Sequence, residues 1–405
     1  MGLTTDTHRV FGLDLVRAVA IILVVLGHGG FLLNGSALDG FPYFRMIDGV
    51  DMFFVLSGFL IGGILVKQAE GAVQFKGRQL LRFWKRRWFR TLPNYYLVLV
   101  LNVFVVMTGI IHEDQSRISW KFAVFLQNFS TPMHGFFWES WSLPVEEWFY
   151  IFTPLLLLFL LKGLTPKRAL LFSALSLLVL PVLYRISIFD PKIDEFWWDV
   201  TFRKTVLCRL DSIGFGVLAA WMAFYVPHWW SKARIPAFLL GALLILFLVN
   251  HQEPVGTVYR QVVMFSLVPF SVMLLLPAME GLKLGHGLAA VAVQHISKIS
   301  YSMYLINLAL VAEVIRDNFP PQNGPDGIFL QAHMVLAYYA TPTADPLVLD
   351  NLNSQILPAS RRSDLSPIFS FNSTGLWQGT GNNASKSNLS RWQDLQVRAR
   401  AEGFQ

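Results

Sequence analysis

Nine long apolar segments dominate this sequence and restrict the folds that it can adopt. A helix needs about 20 apolar residues to cross a bilayer, and inside lipid it bonds all of its own backbone groups. Only 15% of the 405 residues are charged, against roughly 25% in soluble domains. The sequence therefore predicts an all-α fold, a polytopic helical bundle integral to a membrane. The expected spans are 12–33, 50–66, 91–111, 143–161, 168–184, 206–226, 235–250, 259–278 and 299–315.

A tenth apolar segment, Ile328–Thr341, begins like a span but runs for only 14 residues, which is short for a crossing. Beyond Pro342 the chain is rich in Ser, Asn, Asp, Gly and Arg without helical periodicity, a composition typical of disorder. We therefore expect about ten transmembrane helices, nine of them clear and the tenth incomplete, in a domain over residues 1–341. Residues 342–405 are expected to form a disordered or aberrant tail.

Lys and Arg residues are unevenly divided between the predicted loops. If the N-terminus is cytoplasmic, the cytoplasmic loops hold 15 of these residues and the outer loops hold 7. Excess positive charge marks cytoplasmic loops, so the N-terminus is predicted to lie in the cytoplasm. The net charge of +7 has the same origin, and we therefore expect contact with membrane lipid and no binding of nucleic acid. The single Cys208 excludes an internal disulfide bond.

The first span carries Asp14, Arg17 and His28 beside an uninterrupted apolar run. Arg17 and His28 are eleven residues apart, which places them within roughly 20° of the same helix face and ~16 Å apart along the axis. Asp14 lies one turn before Arg17 on that face. Ionisable groups inside a membrane indicate function by default. A structural alternative remains open, in which the charges end the helix and His28 is a packed, hydrogen-bonded histidine.

The predicted loop 67–90 is strongly basic and aromatic. Arg87 and Arg90 are one helical turn apart, and guanidinium groups bind phosphate oxygens through paired hydrogen bonds. This spacing suits a phosphorylated cytosolic donor. The same composition is also typical of a positive anchor with interfacial aromatic rings, or of attraction to anionic lipids, and the pattern alone favours the anchor. The residues concerned are Arg82, Phe83, Trp84, Lys85, Arg86, Arg87, Trp88, Phe89 and Arg90.

The stretch Trp138–Tyr150 leads into the fourth span. Ser142 is expected to cap a helix in which Pro144 is tolerated because it lies near the start. Ser142, Glu146 and Tyr150 are spaced four residues apart and therefore share one helix face.

The same stretch contains aromatic and acidic pairs. Trp141 and Trp148 suit the membrane interface. Of Glu146 and Glu147, one is expected to be a solvated charge at the rim of the bundle. A carboxylate that faces His28 would fix the tautomer of the imidazole and raise its basicity.

Two later segments carry polar residues at informative spacings. Arg209 and Asp211 are two residues apart and cannot face each other on a helix, so each needs a partner on another helix. Gly214 and Gly216 permit close helix approach.

The last span begins with ISYSMYLIN at 299–307. Ser300 and Tyr304 share a helix face. We expect interhelical hydrogen bonds from them in preference to catalysis.

Taken together, these stretches resemble the membrane-bound acyltransferase family 3, the bacterial O-acyltransferases of surface sugars and related hydroxyl acceptors. The six stretches occur in the family's order and cover Gly12 to about Leu310. They are GLDLVRAVAIILVVLGH at 12–28, GVDMFFVLSGFLIG at 49–62, RRWFRTLP at 86–93, WSLPVEEWFY at 141–150, RLDSIGFGVLA at 209–219 and ISYSMYL at 299–305.

The resemblance implies a ten-helix enzyme of the bacterial inner membrane that modifies cell-envelope polysaccharide. Its donor would be acyl-CoA, often acetyl-CoA, and its acceptor a carbohydrate or glycosylated molecule, with no metal. The resemblance makes His28, Arg17 and Glu146 the catalytic residues, with His28 as a base or as an acylated group. It links Arg86, Arg87 and Arg90 to the donor. Substrate or structural roles fall to Asp14, Asp51, Trp141, Ser142, Tyr150, Arg209, Asp211, Ser300 and Tyr301.

The chain departs from the family at Asn307, where a histidine usually follows SYSMYL. Asparagine can form hydrogen bonds but is a poor base. Two other functions remain open from the sequence. In a transporter or flippase of an amphipathic molecule, Arg17, His28 and Asp211 would line a path. The third alternative is an inactive acyltransferase relative.

Overall fold

The computed structural model describes residues 10–28, 48–71, 75–133, 135–251, 253–283 and 287–313, and two strands further on. The chain divides into two units, Met1–Val335 and Leu336–Gln405. All described helices lie in the first unit, and seven helical segments in the described residues are long and apolar enough to span a membrane. The predicted all-α membrane bundle is confirmed. In the second unit, Ser370–Phe371 pairs antiparallel with Trp377–Gln378.

The long helices alternate in direction through the bundle. They are α1 (Phe11–His28), α2 (Gly49–Ala69), α3 (Gly77–Met107), α4 (Ser142–Leu160), α5 (Pro166–Ser187), α7 (Val206–Tyr225), α9 (Arg234–Asn250), α10 (Met264–Glu280) and α11 (Leu288–Ile306). The short helices are α6 (Glu195–Trp198) and α8 (Pro227–Lys232). Single turns of 3₁₀-helix cover Gln115–Arg117, Trp120–Val124 and Trp138–Trp141, and π-helix covers Asp199–Arg203, Tyr259–Val263 and Asn307–Glu313.

Two predicted boundaries are wrong. Helix α3 begins 14 residues before the predicted start at 91, and α11 begins 11 residues before the predicted start at 299. Hydropathy assigned the Arg-rich stretch to a loop, but Arg, Lys, Leu and Gln are all good helix formers, so the helix continues through the charges. The tenth segment at 328–341 and almost all of the tail lie outside the described residues.

Helices α2 and α7 pack against each other backbone to backbone at the centre of the bundle. A Cβ atom on Gly58 would lie 2.0 Å from the Ile213 carbonyl oxygen, and one on Gly216 would lie 2.1 Å from that of Val55. Gly214 faces Leu177 of α5 with similarly little space. The predicted close approach at both glycines of α7 is confirmed, because small residues let helix backbones meet in a membrane.

Two ion pairs hold α7 to its neighbours inside the bundle. Arg209 pairs with Asp51 of α2, and Arg185 of α5 lies 2.7 Å from Asp211. The arginine and aspartate side chains of the second pair are 0% exposed. The prediction that Arg209 and Asp211 find partners on other helices is confirmed. Buried charges need such partners, since an unpaired charge in a low-dielectric interior is costly.

Helix α2 starts where it does because Asp48 caps it. One carboxylate oxygen of Asp48 accepts a hydrogen bond from the Val50 backbone N–H at 3.0 Å. The other oxygen accepts a hydrogen bond from Arg203 at 2.9 Å. The cap therefore ties the start of α2 to the segment that precedes α7, at the same end of the bundle where α1 stops at His28.

Candidate functional site

A polar cavity of about 620 Å³ lies at the end of the bundle where α1, α9 and α11 finish and α2, α4, α7 and α10 start. Its charged and titratable lining is His28, Asp48, Asp51, Glu139, Arg203, Lys204, Arg209, His251, Arg260 and Glu313. Aromatic side chains contribute Trp138, Trp141, Trp198, Phe265 and Tyr304. Small-molecule sites combine a concave apolar wall with a few convergent polar groups, and this cavity has both.

All three π-helical turns of the described chain lie at this cavity. Asp199–Arg203 contributes Arg203, Tyr259–Val263 contributes Arg260, and Asn307–Glu313 contributes Glu313 at its end. The π-helix is rare, and the single turns in which it mostly occurs are frequent at functional sites. The backbone irregularity therefore coincides with the polar lining.

His28 is the last residue of α1 and lines the cavity. Its Nδ1 atom lies 2.9 Å from the side-chain amide nitrogen of Asn307. An amide can serve either neutral tautomer of the ring, because a half-turn of the amide exchanges its donor and its acceptor. Asn307 therefore holds the ring and leaves Nε2 for other contacts. The side chain that bonds His28 is therefore an amide, and not the carboxylate that would have raised the basicity of the ring.

Four charges beside His28 form one ion cluster. Arg203 lies 2.5 Å from Asp199 and 2.9 Å from Asp48, and Lys204 lies 2.6 Å from Asp199. Burial alone would raise the pKa of Asp199, but Arg203 and Lys204 outweigh it and hold that pKa below its usual value. Burial and the neighbouring Arg203 lower the pKa of Lys204. The cluster is electrically balanced and fixes the segment before α7.

Each cavity tryptophan has a cation over its ring. Lys204 lies 4.6 Å from the ring centre of Trp138, and Arg260 lies 4.2 Å from that of Trp198. Arg203 lies 5.5 Å from Trp141. Trp141, predicted to suit the membrane interface, is 4% exposed and packs against Arg203 inside the wall, so its ring does not face lipid. Such contacts stabilise a cation where water is excluded.

A second polar cluster lies deeper in the bundle, between α2, α3 and α4. Glu146 accepts hydrogen bonds from Ser57 at 2.7 Å and from Tyr150 at 2.9 Å. Glu147 accepts from Trp88 and Thr91. The expectation that one glutamate is a solvated rim charge is wrong, because the helix turns both into the protein. Neither glutamate bonds His28.

The predicted shared face of α4 is present, with Glu146 bonded to Tyr150 along it. The predicted capping role of Ser142 is wrong. Its hydroxyl donates to the Tyr304 hydroxyl at 2.6 Å, and α4 has no side-chain cap because it continues directly from a 3₁₀ turn. Tyr304 thus makes the expected interhelical contact, whereas Ser300 bonds within its own helix, to the Ser297 carbonyl.

Arg17 belongs with the deeper cluster. It lies 3.4 Å from Asp14 and 3.2 Å from Ser297 of α11, whose hydroxyl donates to Asp14 at 2.7 Å. Glu146 is within electrostatic range of Arg17. The structure therefore places Arg17 near Glu146 and separates both from the cavity around His28.

The arginines of α3 do not form one group. Arg86 and Arg90 are exposed, whereas Arg87 is half-buried within electrostatic range of Glu146. No hydrogen-bond partner of the Arg87 Nε atom lies among the described residues. Nearby, Tyr301 of α11 donates to the Thr91 carbonyl at 3.0 Å. One guanidinium thus points inward at the deep cluster while its neighbours face outward.

Several cavity residues were missed by the sequence analysis, among them Asp48, Glu139, Arg203 and Lys204. They lie just outside the apolar segments, where the sequence does not distinguish a charged site residue from an ordinary charged loop residue. The only sequence signal was the acid between two tryptophans in WESW at 138–141. Within the described ranges, no cluster of His, Cys, Asp and Glu could hold a metal ion.

Comparisons with known proteins agree with this architecture. The model of the Acyl_transf_3 family, described as an acyltransferase domain, matches residues 10–341. A peptidoglycan O-acetyltransferase OatA of Listeria monocytogenes is 31% identical over 214 residues, which are 48% of this chain and 32% of the relative. An O-acetyltransferase OatA of Staphylococcus aureus is 32% identical over 169 residues, 39% of this chain and 26% of the relative.

A third relative is the putative peptidoglycan O-acetyltransferase YrhL of Bacillus subtilis, 33% identical over 195 residues, 44% of this chain and 28% of the relative. The alignments thus span about a third or less of the length of these curated relatives. No solved structure matches the chain. Since the family model covers residues 10–341 of 405, the chain belongs to the Acyl_transf_3 family of acyltransferases.

Proposed function

We propose that this protein is an O-acyltransferase that moves an acyl group, in the first place acetyl, from acyl-CoA to a hydroxyl of a carbohydrate. The observation that carries the proposal is His28, held by Asn307 in the wall of a polar cavity at one end of a membrane bundle. Family membership supports an acyl donor. The names of the Listeria and Bacillus relatives support a glycan acceptor, and peptidoglycan is the first acceptor to test.

The reaction transfers the proton of the acceptor hydroxyl, forms one bond and breaks another. A ring nitrogen of His28 takes the proton from the acceptor hydroxyl, whose oxygen attacks the thioester carbonyl carbon. The new C–O ester bond forms, the C–S bond breaks, and the thiolate of CoA leaves and takes up a proton. For Nε2 to accept, Nδ1 must carry the ring proton. A half-turn of the Asn307 amide, which brings its oxygen to Nδ1–H in place of the nitrogen, serves this tautomer.

An acylated histidine is the second route at the same ring. Nε2 would attack the thioester and then pass the acyl group to the hydroxyl in a second step. Both routes need the ring to be oriented and partly shielded from water, and the contact with Asn307 and the cavity wall provide this. They differ in whether a labelled enzyme intermediate accumulates when the acceptor is withheld.

Arg17, Glu146 and Arg87 serve the donor in this proposal. They form the deeper cluster, on the side of the bundle towards the exposed Arg86 and Arg90. Guanidinium groups suit the phosphates of CoA, and the Nε atom of Arg87 has no hydrogen-bond partner within the described part of the chain. The donor would then enter from the basic end, which the loop charges assign to the cytoplasm of a bacterial cell, while the acceptor would enter the cavity from the outer side.

The transporter hypothesis places the same charged groups along a path. Asp211 and Asp51 each form a buried ion pair with an arginine of another helix. These pairs favour a structural role for the two aspartates over a role in a transport path. We therefore keep acyl transfer as the single proposed function.

The test is acyl transfer by purified protein in proteoliposomes. Radiolabelled acetyl-CoA is placed on one side and peptidoglycan strands on the other. We expect label to enter the glycan in an alkali-labile form, as an ester requires, and to be absent in liposomes without protein. Label that reaches the glycan only when both substrates share one side would contradict transfer across the membrane. No label in either arrangement would contradict the proposed function.

A further inference from the structure

Glu139 is a buried carboxylate in the cavity that the mechanism above leaves without a role. It lies on the 3₁₀ turn Trp138–Trp141, and its side chain is 1% exposed. It lines the same cavity as His28. Glu139 is not among the site residues predicted from the sequence.

Only one of its two carboxylate oxygens has a hydrogen-bond partner among the described residues. Oε1 accepts a hydrogen bond from the Ala309 backbone N–H at 3.0 Å. Oε2 has no hydrogen-bond partner among the described residues. A buried polar atom without a partner costs free energy and is uncommon in native proteins. An orphan oxygen at the wall of a cavity therefore points to a ligand that supplies the missing partner.

The carboxylate is held firmly enough to select that ligand. Tyr304 donates to the Glu139 carbonyl at 2.7 Å, and Ser142 donates to Tyr304. The end of the turn is fixed by Asn128, whose amide nitrogen donates to the Trp141 carbonyl at 2.7 Å. A functional side chain on so well-bonded a turn is preorganised for binding.

The surroundings indicate the class of ligand. Three cavity cations, Arg203, Lys204 and Arg209, have close carboxylate partners in Asp48, Asp199 and Asp51. The fourth, Arg260, lies over the ring of Trp198 and 3.8 Å from Glu195. An anionic ligand beside Arg203, Lys204 or Arg209 would therefore have to displace an existing ion pair, whereas a neutral hydroxyl would displace nothing. A hydroxyl also matches Glu139 in both protonation states, because it can donate to a carboxylate or accept from a carboxylic acid.

We propose that Oε2 of Glu139 hydrogen-bonds a hydroxyl of a neutral sugar acceptor and so holds that acceptor against His28. This rests on the proposed function, and it adds an acceptor-binding residue to it. Glu139 raises the affinity for the acceptor, whereas the deeper cluster around Arg87 binds the donor.

The test compares Glu139→Leu with Glu139→Gln in the full chain in nanodiscs, with acetyl-CoA and the tetrasaccharide of N-acetylglucosamine as the acceptor probe. Leucine removes the hydrogen bond and glutamine keeps one. We expect Glu139→Leu to raise the KM for the tetrasaccharide about tenfold or more, which corresponds to one hydrogen bond to a charged group. Glu139→Gln should lie between Glu139→Leu and the wild type. The KM for acetyl-CoA should stay within about twofold in both variants.

Glu113→Gln is the matched control, because Glu113 lies within electrostatic range of Glu139 but does not line the cavity. It should leave both KM values unchanged. An unchanged tetrasaccharide KM in Glu139→Leu would overturn the inference while the proposed function stands. A Glu139→Leu protein that loses donor and acceptor affinity equally would also overturn it, by showing a structural role. A wild type that transfers no label would instead remove the proposed function.

Discussion

The side-chain amide of Asn307 lies 2.9 Å from Nδ1 of His28, across the gap between α11 and α1. The two residues are 279 positions apart in the chain, and Asn307 is the first residue of the π-helical turn that follows α11. The amide takes the place at which a histidine orienter is usually a carboxylate or a backbone carbonyl. It fixes the ring without adding a charge to a cavity whose cations are already paired.

Two replacements of Asn307 should differ in their effect on the rate of acyl transfer. Asn307→Leu removes the orienting contact, and we expect kcat to fall about tenfold or more, which corresponds to ~1.4 kcal/mol or more of transition-state stabilisation. Asn307→Asp offers only acceptor atoms to Nδ1, which fixes the ring proton there and frees Nε2 as the base. We expect its kcat to equal or exceed that of the wild type. Steady-state transfer assays at matched protein levels measure both.

A drop of the same size in Asn307→Asp and Asn307→Leu would mean that the amide is needed for packing alone. The melting temperature of each variant separates the two cases.

Because α2 packs closely on α7, replacement of Gly58 should destabilise the fold, whereas replacement of Gly63 on the same helix should not. Gly58→Ala places a methyl group 2.0 Å from a backbone oxygen of α7, and we expect a loss of ~1–3 kcal/mol in the free energy of unfolding. Gly63→Ala on the same helix meets nothing within 4 Å and should gain up to ~1 kcal/mol, because alanine has the higher helix propensity. Denaturation in detergent measures both. Equal effects would contradict the described helix contact.

The buried pair of Asp51 and Arg209 should be essential for stability. Asp51→Asn leaves a guanidinium that is 1% exposed without its counter-charge, and we expect a loss of ~3–5 kcal/mol in the free energy of unfolding. The control is Asp114→Asn, which breaks an ion pair whose two side chains are about half exposed. That change should be too small to measure. An equally small loss of stability in the two variants would show that Asp51 is more exposed to solvent than it is in the structure.

Acid should loosen the ion cluster beside the cavity through Asp199. Its pKa is lower in the folded protein than in the unfolded chain, so between the two values the unfolded chain binds more protons and stability rises with pH. The stabilisation is complete above the unfolded pKa, about pH 4, and is lost as the pH falls through the folded pKa. We expect Asp199→Asn to melt at a lower temperature than the wild type at pH 6 and to show a smaller further drop towards pH 3. Equal acid sensitivity of the two proteins would exclude this role.

The sequence predicted the membrane bundle and most helix bounds because apolar length is a local property. It also predicted that Arg209 and Asp211 must find separate partners, because helix geometry forbids their pairing. It could not identify Asp51 and Arg185 as those partners, since neither local pattern nor spacing specifies which helices meet.

The candidate site was only partly accessible to the sequence. His28 and Glu146 were singled out together, yet the fold places them in separate clusters, which depends on how far α1 and α4 overlap along the bundle. Glu139 and Lys204 were missed because charges beside an apolar segment resemble solvated loop residues. Only the packing of α11 and the π-helical turns makes them part of a cavity wall.

The most direct test of the account is the single-turnover rate of acetyl transfer by His28→Gln, in nanodiscs saturated with acetyl-CoA and glycan acceptor. Glutamine keeps a polar side chain of similar length beside Asn307 but cannot take up a proton at neutral pH. General-base catalysis contributes about 10²–10⁴-fold, so we expect the rate to fall at least a hundredfold while the melting temperature stays within a few degrees of the wild type. A folded His28→Gln protein that transfers the acetyl group at the wild-type rate would contradict the central claim that His28 is the reacting group.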